Sequence, residues 1–172
     1  MGAPSLSSLE SVCNELPDYA TCASRCNPTD IDNIRPVFEK GVEKFGAINA
    51  VLMNYRPDRA GPPETLEGYV SALTNLSKVA HPYLFETQGR FVIVGQRMGK
   101  KTLAGALKTM LRNASRTLSE ALRQEWSEDM IQVSLVEPDG LDGPKPMARR
   151  IARTLNGAPP RRPVGGKLRA AQ

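Results

Sequence analysis

The sequence predicts an α/β fold in which helices cover both faces of a mostly parallel sheet. Three short apolar runs, at 50–53, 91–94 and 131–136, have the length of strands, and the first two are apolar at every position. Continuous apolarity is typical of parallel strands that are buried on both faces. Segments with helical periodicity separate the runs, as parallel strands need a crossover to return the chain. The predicted order is therefore helix, strand, helix, strand, helix, strand.

The first helix is predicted between an N-cap at Asp30 or Asp32 and a C-terminal Gly46. Aspartate accepts hydrogen bonds from the free amides of a first turn, and glycine commonly follows the last turn. Pro36 falls in or just beyond the opening turn, where a missing amide matters little. The apolar residues at helical spacing are Ile34, Val37, Phe38, Val42 and Phe45. A short additional strand is predicted before this helix, around 19–22.

Two longer helices are predicted between the apolar runs. The first covers 62–80 from a pair of prolines, and His81–Pro82 then indicates a helix end. The second covers 101–125, with apolar residues at steps of three and four. These residues are Leu103, Leu107, Met110, Leu111, Ala114, Leu118 and Leu122. We expect this stripe to pack on the sheet and the opposite face to contact a partner protein. A shorter fourth helix is predicted over 143–155.

Length and charge divide the chain into one domain and a tail. The 172 residues fit a single core, here 1–156, and 157–172 is a basic, Pro- and Gly-rich extended tail. Eight basic residues and one acidic residue follow position 140. We expect the tail to bind an acidic protein surface or nucleic acid, or only to raise solubility. Its basic residues are Arg161, Arg162, Lys167 and Arg169.

Neither a membrane span nor a secretory signal is predicted. No run approaches the roughly 18 apolar residues of a span, and the acidic N-terminal segment differs from a signal peptide. We therefore expect an intracellular protein. The three cysteines, Cys13, Cys22 and Cys26, are too few and oddly numbered for a disulfide framework. Their spacing does not match a zinc site, and His81 is the only histidine. We predict buried thiols and no metal.

Five short stretches, in order from about Ser5 to about Leu155, resemble the short-chain dehydrogenase/reductase family. They are Asn27-Pro28-Thr29-Asp30, the segment 45–52 (FGAINAVL), Asn75-Leu76, the segment 89–94 (GRFVIV) and Pro138-Asp139-Gly140. The resemblance implies a Rossmann-like sheet. It also implies a truncated one, because 26 residues precede Asn27, fewer than in the family, and the Gly-rich turn that binds the cofactor pyrophosphate is missing. We therefore predict no cofactor.

The resemblance also locates positions where cofactor and substrate would bind. The family's Asn-Asn-Ala-Gly corresponds to Met53-Asn54-Tyr55-Arg56, whose large side chains would fill the cofactor space; alternatively, Arg56 could bind a phosphate. The catalytic tyrosine, four residues before Lys108, corresponds to Ala104, and the serine to Gly95-Gln96. Only Asn75 and Lys108 remain of the family set, and Lys108 is alternatively a solvated surface residue. We therefore predict no enzymatic activity.

These observations lead to a catalytically inactive accessory subunit of a larger protein assembly, such as a mitochondrial respiratory complex. The mitochondrion is favoured over the cytoplasm, and other protein subunits are the expected partners. A missing central strand would leave an open edge near Val51, to be filled by the strand near Thr21 or by another chain. One alternative is an NAD(P)-dependent oxidoreductase completed by a second chain, with Tyr55 as its proton donor. The other is a ribosome- or nucleic-acid-associated subunit.

Overall fold

The computed structural model describes residues 1–3, 9, 13–15, 17, 20–55, 62–97, 102–138 and 143–157. The strands are β1 (Gly2–Ala3), β2 (Ser24–Arg25), β3 (Ala50–Met53), β4 (Arg90–Val94) and β5 (Gln132–Val136). The helices are α1 (Ile31–Phe45), α2 (Pro62–Thr87), α3 (Leu103–Glu125) and α4 (Pro144–Asn156). The predicted α/β class with parallel strands and helical crossovers is confirmed.

The main sheet has the order β3-β4-β5, and both of its strand pairs are parallel. The central strand β4 is covered on both faces, because Phe91 and Ile93 join the main core while Val92 and Val94 are buried on the opposite side. This double coverage explains the unbroken apolar run that the sequence carries there.

The strand predicted around 19–22 lies instead at Ser24–Arg25, where β2 pairs in parallel with β1. The carbonyl groups of the predicted segment instead accept hydrogen bonds from charged groups that are distant in the sequence. The carbonyl oxygen of Cys22 accepts a hydrogen bond from the N-terminal ammonium group of Met1, at 2.6 Å. The carbonyl oxygen of Thr21 accepts one from the Lys44 ammonium group, at 2.7 Å. The backbone ladder between β1 and β2 starts with the Ser24 amide, which donates to the Met1 carbonyl oxygen.

Helix α1 has the predicted ends. The Asp30 side chain accepts a hydrogen bond from the Asp32 amide, at 3.0 Å, and Gly46 ends the helix with a φ of 84°. Helix α2 starts at Pro62 as predicted, but the end predicted at His81–Pro82 is wrong, since the helix continues to Thr87. Pro82 is exposed, and the following turn is fixed by the buried Leu84 and by the Thr87 hydroxyl group. That hydroxyl donates to the Ile48 carbonyl oxygen, at 2.8 Å.

Helix α3 starts after Thr102, whose hydroxyl oxygen accepts a hydrogen bond from the Gly105 amide. The predicted stripe is confirmed at Leu111, which is 4% exposed, and is wrong at Met110, which is 51% exposed. The buried face is rotated toward two serines, Ser115 and Ser119. Their hydroxyl groups donate to carbonyl oxygens one turn earlier in the same helix, so burial leaves neither group unpaired.

The fourth helix is confirmed as α4. The Arg90 guanidinium group at the start of β4 donates hydrogen bonds to the carbonyl oxygens of Leu155 and Gly157, which attaches the end of this helix to the sheet. The predicted tail beyond Gly157, with its four basic residues, lies outside the described residues. Within the described ranges, no helix is both long enough and apolar enough to cross a membrane.

Candidate functional site

The carboxyl ends of the three main strands meet at one edge of the sheet. Asn54 and Tyr55 follow β3, Gly95 and Gln96 follow β4, and Glu137 follows β5. Ligands of open α/β sheets bind at this edge. The first two strand ends are joined directly, because the Gln96 side-chain amide donates a hydrogen bond to the Tyr55 carbonyl oxygen, at 3.2 Å. This edge is the candidate functional site.

Tyr55 is half-buried at this edge, next to the exposed Asn54. Its ring stacks with the ring of the fully buried Tyr69, with centroids 6.4 Å apart and planes inclined by 24°. Its hydroxyl oxygen lies 3.9 Å from the point that a Cβ atom on Gly68 would occupy, so the hydroxyl group is close to the α2 backbone. Arg56, the next predicted site residue, lies outside the described residues.

Gly95, at the position where the resemblance expects a serine, is buried against the carboxyl end of β5 and the residue that follows it. A Cβ atom here would lie 3.1 Å from Glu137 Cγ and 3.3 Å from Leu135 Cδ1, closer than most real contacts. Glycine at this position therefore leaves the space that the Glu137 side chain uses.

Glu137 was not singled out from the sequence, yet it has the densest polar contacts at this edge. Arg112 donates to its two carboxylate oxygens at 2.9 and 3.0 Å, and Arg116 donates to the same oxygens at 2.8 and 2.7 Å. The hydrogen bonds from Arg116 are the main reason that the pKa of Glu137 is lowered, with Arg112 adding to the effect and partial burial opposing it. The three side chains together carry one net positive charge.

The two family residues that remain are in different surroundings. Asn75 is half-buried in α2, and its side-chain amide donates to the Thr29 carbonyl oxygen at 3.0 Å, which ties α2 to the loop after β2. Lys108 is exposed on α3, as its interpretation as a solvated residue predicts. Ala104 lies in the first turn of the same helix. Asn75 is thus engaged with a backbone carbonyl group, whereas Lys108 faces solvent.

In the part of the chain that the structure describes, the cysteines form no metal site together with acidic or histidine side chains. No group of three such side chains in the described ranges could hold a metal ion. Cys13, Cys22 and Cys26 are free thiols, and only Cys26 is buried, so the prediction of buried thiols is correct for that residue alone. Burial raises the pKa of the Cys26 thiol, and the negative charge of Asp30 adds to the effect. His81 Nε2 instead contacts Asp129 Oδ2, at 2.7 Å.

The fold is similar to those of solved short-chain dehydrogenases and reductases. A metagenomic short-chain oxidoreductase in complex with NADP matches with a TM-score of 0.76 and 18% identity, over 91% of this chain and 78% of that one. An NAD⁺-bound xylitol dehydrogenase matches with a TM-score of 0.70 and 16% identity, over 87% and 63%. A short-chain type dehydrogenase/reductase from Mycobacterium marinum matches with a TM-score of 0.70 and 16% identity, over 80% and 60%.

No protein-family model and no curated protein matches the sequence. At identities of 16–18%, the likeness establishes the fold, and this chain spans 60–78% of the length of the three proteins. All three are oxidoreductases by name, and two of them hold a nicotinamide cofactor. The prediction of a protein without enzymatic activity is therefore wrong on this comparison, which supports the oxidoreductase alternative.

Proposed function

We propose that this chain belongs to the short-chain dehydrogenase/reductase family and is part of an NAD(P)-dependent oxidoreductase. The carrying observation is the meeting of three parallel strand ends, where Tyr55, Gln96 and Glu137 lie at one edge of a sheet with this fold. The structural neighbours that hold NADP or NAD⁺ support the choice of cofactor. Operation in a larger assembly and in the mitochondrion stay predictions from the sequence.

The residues at the edge suit the nicotinamide end of such a cofactor. Asn54, Tyr55 and Gln96 offer amide and phenol groups, which can hydrogen-bond to a carboxamide. The sequence has no Gly-rich turn between a strand and a helix, and such a turn is the usual pyrophosphate site. We therefore propose that a second polypeptide contributes the pyrophosphate site. When bound, the cofactor supplies or accepts a hydride.

Tyr55 is the proposed proton donor of this oxidoreductase. Reduction of a carbonyl group requires a proton at the new hydroxyl oxygen, and a phenol is a suitable general acid. Tyr55 is half-buried directly after β3, and stacking against Tyr69 restricts its ring. The hydrogen bond from Gln96 holds the Tyr55 backbone at the edge. Ala104 has no group that could donate a proton, so the usual tyrosine position does not compete for this role.

Cofactor binding and turnover test the proposal separately. NAD⁺, NADH, NADP⁺ and NADPH are each added to the native complex, and the melting temperature is recorded. A ligand at a hundred times its dissociation constant stabilises by about 2.7 kcal/mol, so a clear shift is expected with at least one of them. Reduction of a panel of ketones and aldehydes is then followed by cofactor absorbance.

Tyr55→Phe is the decisive variant, and Tyr83→Phe is its matched control. Tyr83 is also half-buried, but its ring packs on Phe38 near the end of α2. We expect Tyr55→Phe to lower turnover by at least about 100-fold, the usual contribution of a general acid, and Tyr83→Phe to keep it. Equal activities in the two variants would exclude Tyr55 as the donor. Absence of both a melting shift and turnover with all four cofactors would refute the function.

A further inference from the structure

A cleft of about 530 Å³ lies between the β1–β2 pair and β3. Met1 and Gly2 form one wall, and the whole length of β3 lines the other. The floor consists of apolar side chains of α1, among them Ile34 and Phe38. Among the described residues, no side chain that lines the cleft carries a charge, so the cleft suits an apolar occupant.

Both long walls of the cleft are open strand edges within the described ranges. β3 pairs with β4 alone, and the Asn49 carbonyl oxygen accepts a hydrogen bond from the Arg90 amide on that side. Since peptide groups alternate along a strand, those of Ala50 and Leu52 point to the opposite edge, into the cleft. β1 likewise pairs with β2 alone. Unpaired amides and carbonyls thus line both sides of the same space.

The two positions of β3 whose peptide groups face the cleft also have exposed side chains. Ala50 and Leu52 are exposed, whereas Val51 and Met53 between them are buried. Leu52 keeps 43% of its surface exposed in the middle of a strand, and Phe45 at the cleft keeps 47%. Exposed apolar groups beside an open strand edge mark a surface for another polypeptide.

We infer that the cleft binds an extended apolar segment of a second polypeptide, which enters as a strand parallel to β1 and β3 and joins both sheets into one. Such a strand hydrogen-bonds to two edges at once, whereas a small ligand would leave most of these groups unpaired. β3 has four residues, so the segment needs about four to six residues at about 3.3 Å each. The inference rests on the proposed second polypeptide and names how it docks, but its test uses no cofactor or substrate.

Hydrogen exchange of the isolated chain is the first test. We expect the amides of Ala50 and Leu52 to exchange rapidly, while that of Val51, which faces β4, exchanges slowly. Slow exchange of all three amides in the dilute monomer would mean that a segment of this chain already covers the edge, and would overturn the inference. Slow exchange that develops only as the chain dimerises would assign the cleft to a second copy, and would also overturn it.

A synthetic strand is the second test. The probe is an acetylated and amidated octapeptide with four central valines flanked by threonines and lysines, and its control has prolines in place of the two central valines. We expect the probe to slow exchange at Ala50 and Leu52 at least tenfold and to bind at least tenfold more tightly than the control. Equal binding of both peptides, or binding that leaves these amides unprotected, would overturn the inference.

Variants then locate the binding site of the probe. Leu52→Lys introduces a charge among the uncharged side chains of the cleft, and Met110→Lys is the matched control at an exposed apolar residue of α3. We expect the first variant to weaken probe binding at least tenfold and the second to leave it unchanged. Leu52→Ser, which loses the apolar contact without adding a charge, should weaken binding severalfold and replaces the lysine variant if that one does not fold. Equal effects of the Leu52 and Met110 variants would contradict the assignment.

Discussion

The hydroxyl pair formed by Tyr69 and Ser115 tests how α2 is held against α3. Both residues are fully buried, and their oxygen atoms are 2.6 Å apart. The Ser115 hydroxyl group donates to the Leu111 carbonyl oxygen at 2.8 Å, so Tyr69 must donate to Ser115. Removing the Tyr69 hydroxyl group therefore has a different effect on stability from removing the Ser115 hydroxyl group. Burial raises the pKa of Tyr69, so the phenol stays protonated at neutral pH.

Tyr69→Phe should lower the free energy of unfolding by about 0.5–1.5 kcal/mol, because Ser115 still donates to Leu111. Ser115→Ala should lower it by about 1–3 kcal/mol, because a buried phenol is left without its acceptor. The better helix propensity of alanine offsets part of that loss, but the same gain occurs in the double variant and cancels in a double-mutant cycle. The double variant leaves no unpaired hydroxyl group, so we expect it to lose less than the sum of the single variants by about 1 kcal/mol.

Urea unfolding followed by circular dichroism measures these differences, and an unchanged m-value shows that the comparison is valid. Ser119→Ala is the matched control, since Ser119 is also buried in α3 but bonds within its own helix, to the Arg116 carbonyl oxygen. It should be additive with Tyr69→Phe. If the losses of Tyr69→Phe and Ser115→Ala also add to within about 0.3–0.5 kcal/mol in the double variant, the two hydroxyl groups are not coupled and the reasoning is refuted.

Three further predictions use the same unfolding measurement. Leu111→Ala should destabilise the protein by about 2–5 kcal/mol and Met110→Ala by less than about 0.5 kcal/mol, because only Leu111 is buried. Similar losses in the two variants would contradict the burial of Leu111 and the exposure of Met110 on α3. The lowered pKa of Glu137 means that its ionised side chain stabilises the fold above pH 4.5, the ordinary carboxyl pKa, and that this stability is lost as the pH falls through the folded-state pKa. Glu137→Gln should therefore be less stable at neutral pH and should lack this loss of stability in acid. An unchanged loss of stability in acid would exclude Glu137 as its source. Gly89→Ala should destabilise the protein by about 1–3 kcal/mol, since its Cβ would lie 2.6 Å from the Asn49 carbonyl oxygen. Gly41→Ala, in the interior of α1 with its nearest contact at 3.6 Å, should stabilise it by about 0.5–1 kcal/mol. The opposite order would show that the close approach at Gly89 is absent.

The parts of the fold that depend on local pattern could be predicted from the sequence. The apolar runs predict both β3 and β4, although only β4 is covered on both faces, and Asp30 and Gly46 mark the ends of α1 by local hydrogen bonding and backbone conformation. The errors arise where distant contacts override the pattern. Pro82 does not end α2, because Leu84 after it is buried and the Thr87 hydroxyl group donates to the Ile48 carbonyl oxygen, and Met110 is exposed because α3 turns two serines inward.

The candidate site was less accessible to prediction for the same reason. Glu137 is one carboxylate among many in the sequence, and only the fold brings Arg112 and Arg116 to it. Gly95 looks like the loss of a serine, whereas the structure shows a glycine that admits the Glu137 side chain. The sequence therefore indicated where groups were missing compared with the family and could not indicate which contacts replaced them.

The spatial order of the strands in the main sheet, β3-β4-β5, is also the order in which the ribosome synthesises them. β4 and β5 each pair with the strand synthesised just before them, so this sheet can grow without a later segment inserting between earlier strands. Two strands alone are only marginally stable, and a third is needed for an independent sheet. We expect the nascent chain to gain a stable core only after Val136 has left the exit tunnel, when α2 and α3 have already been synthesised and can pack on the completed sheet.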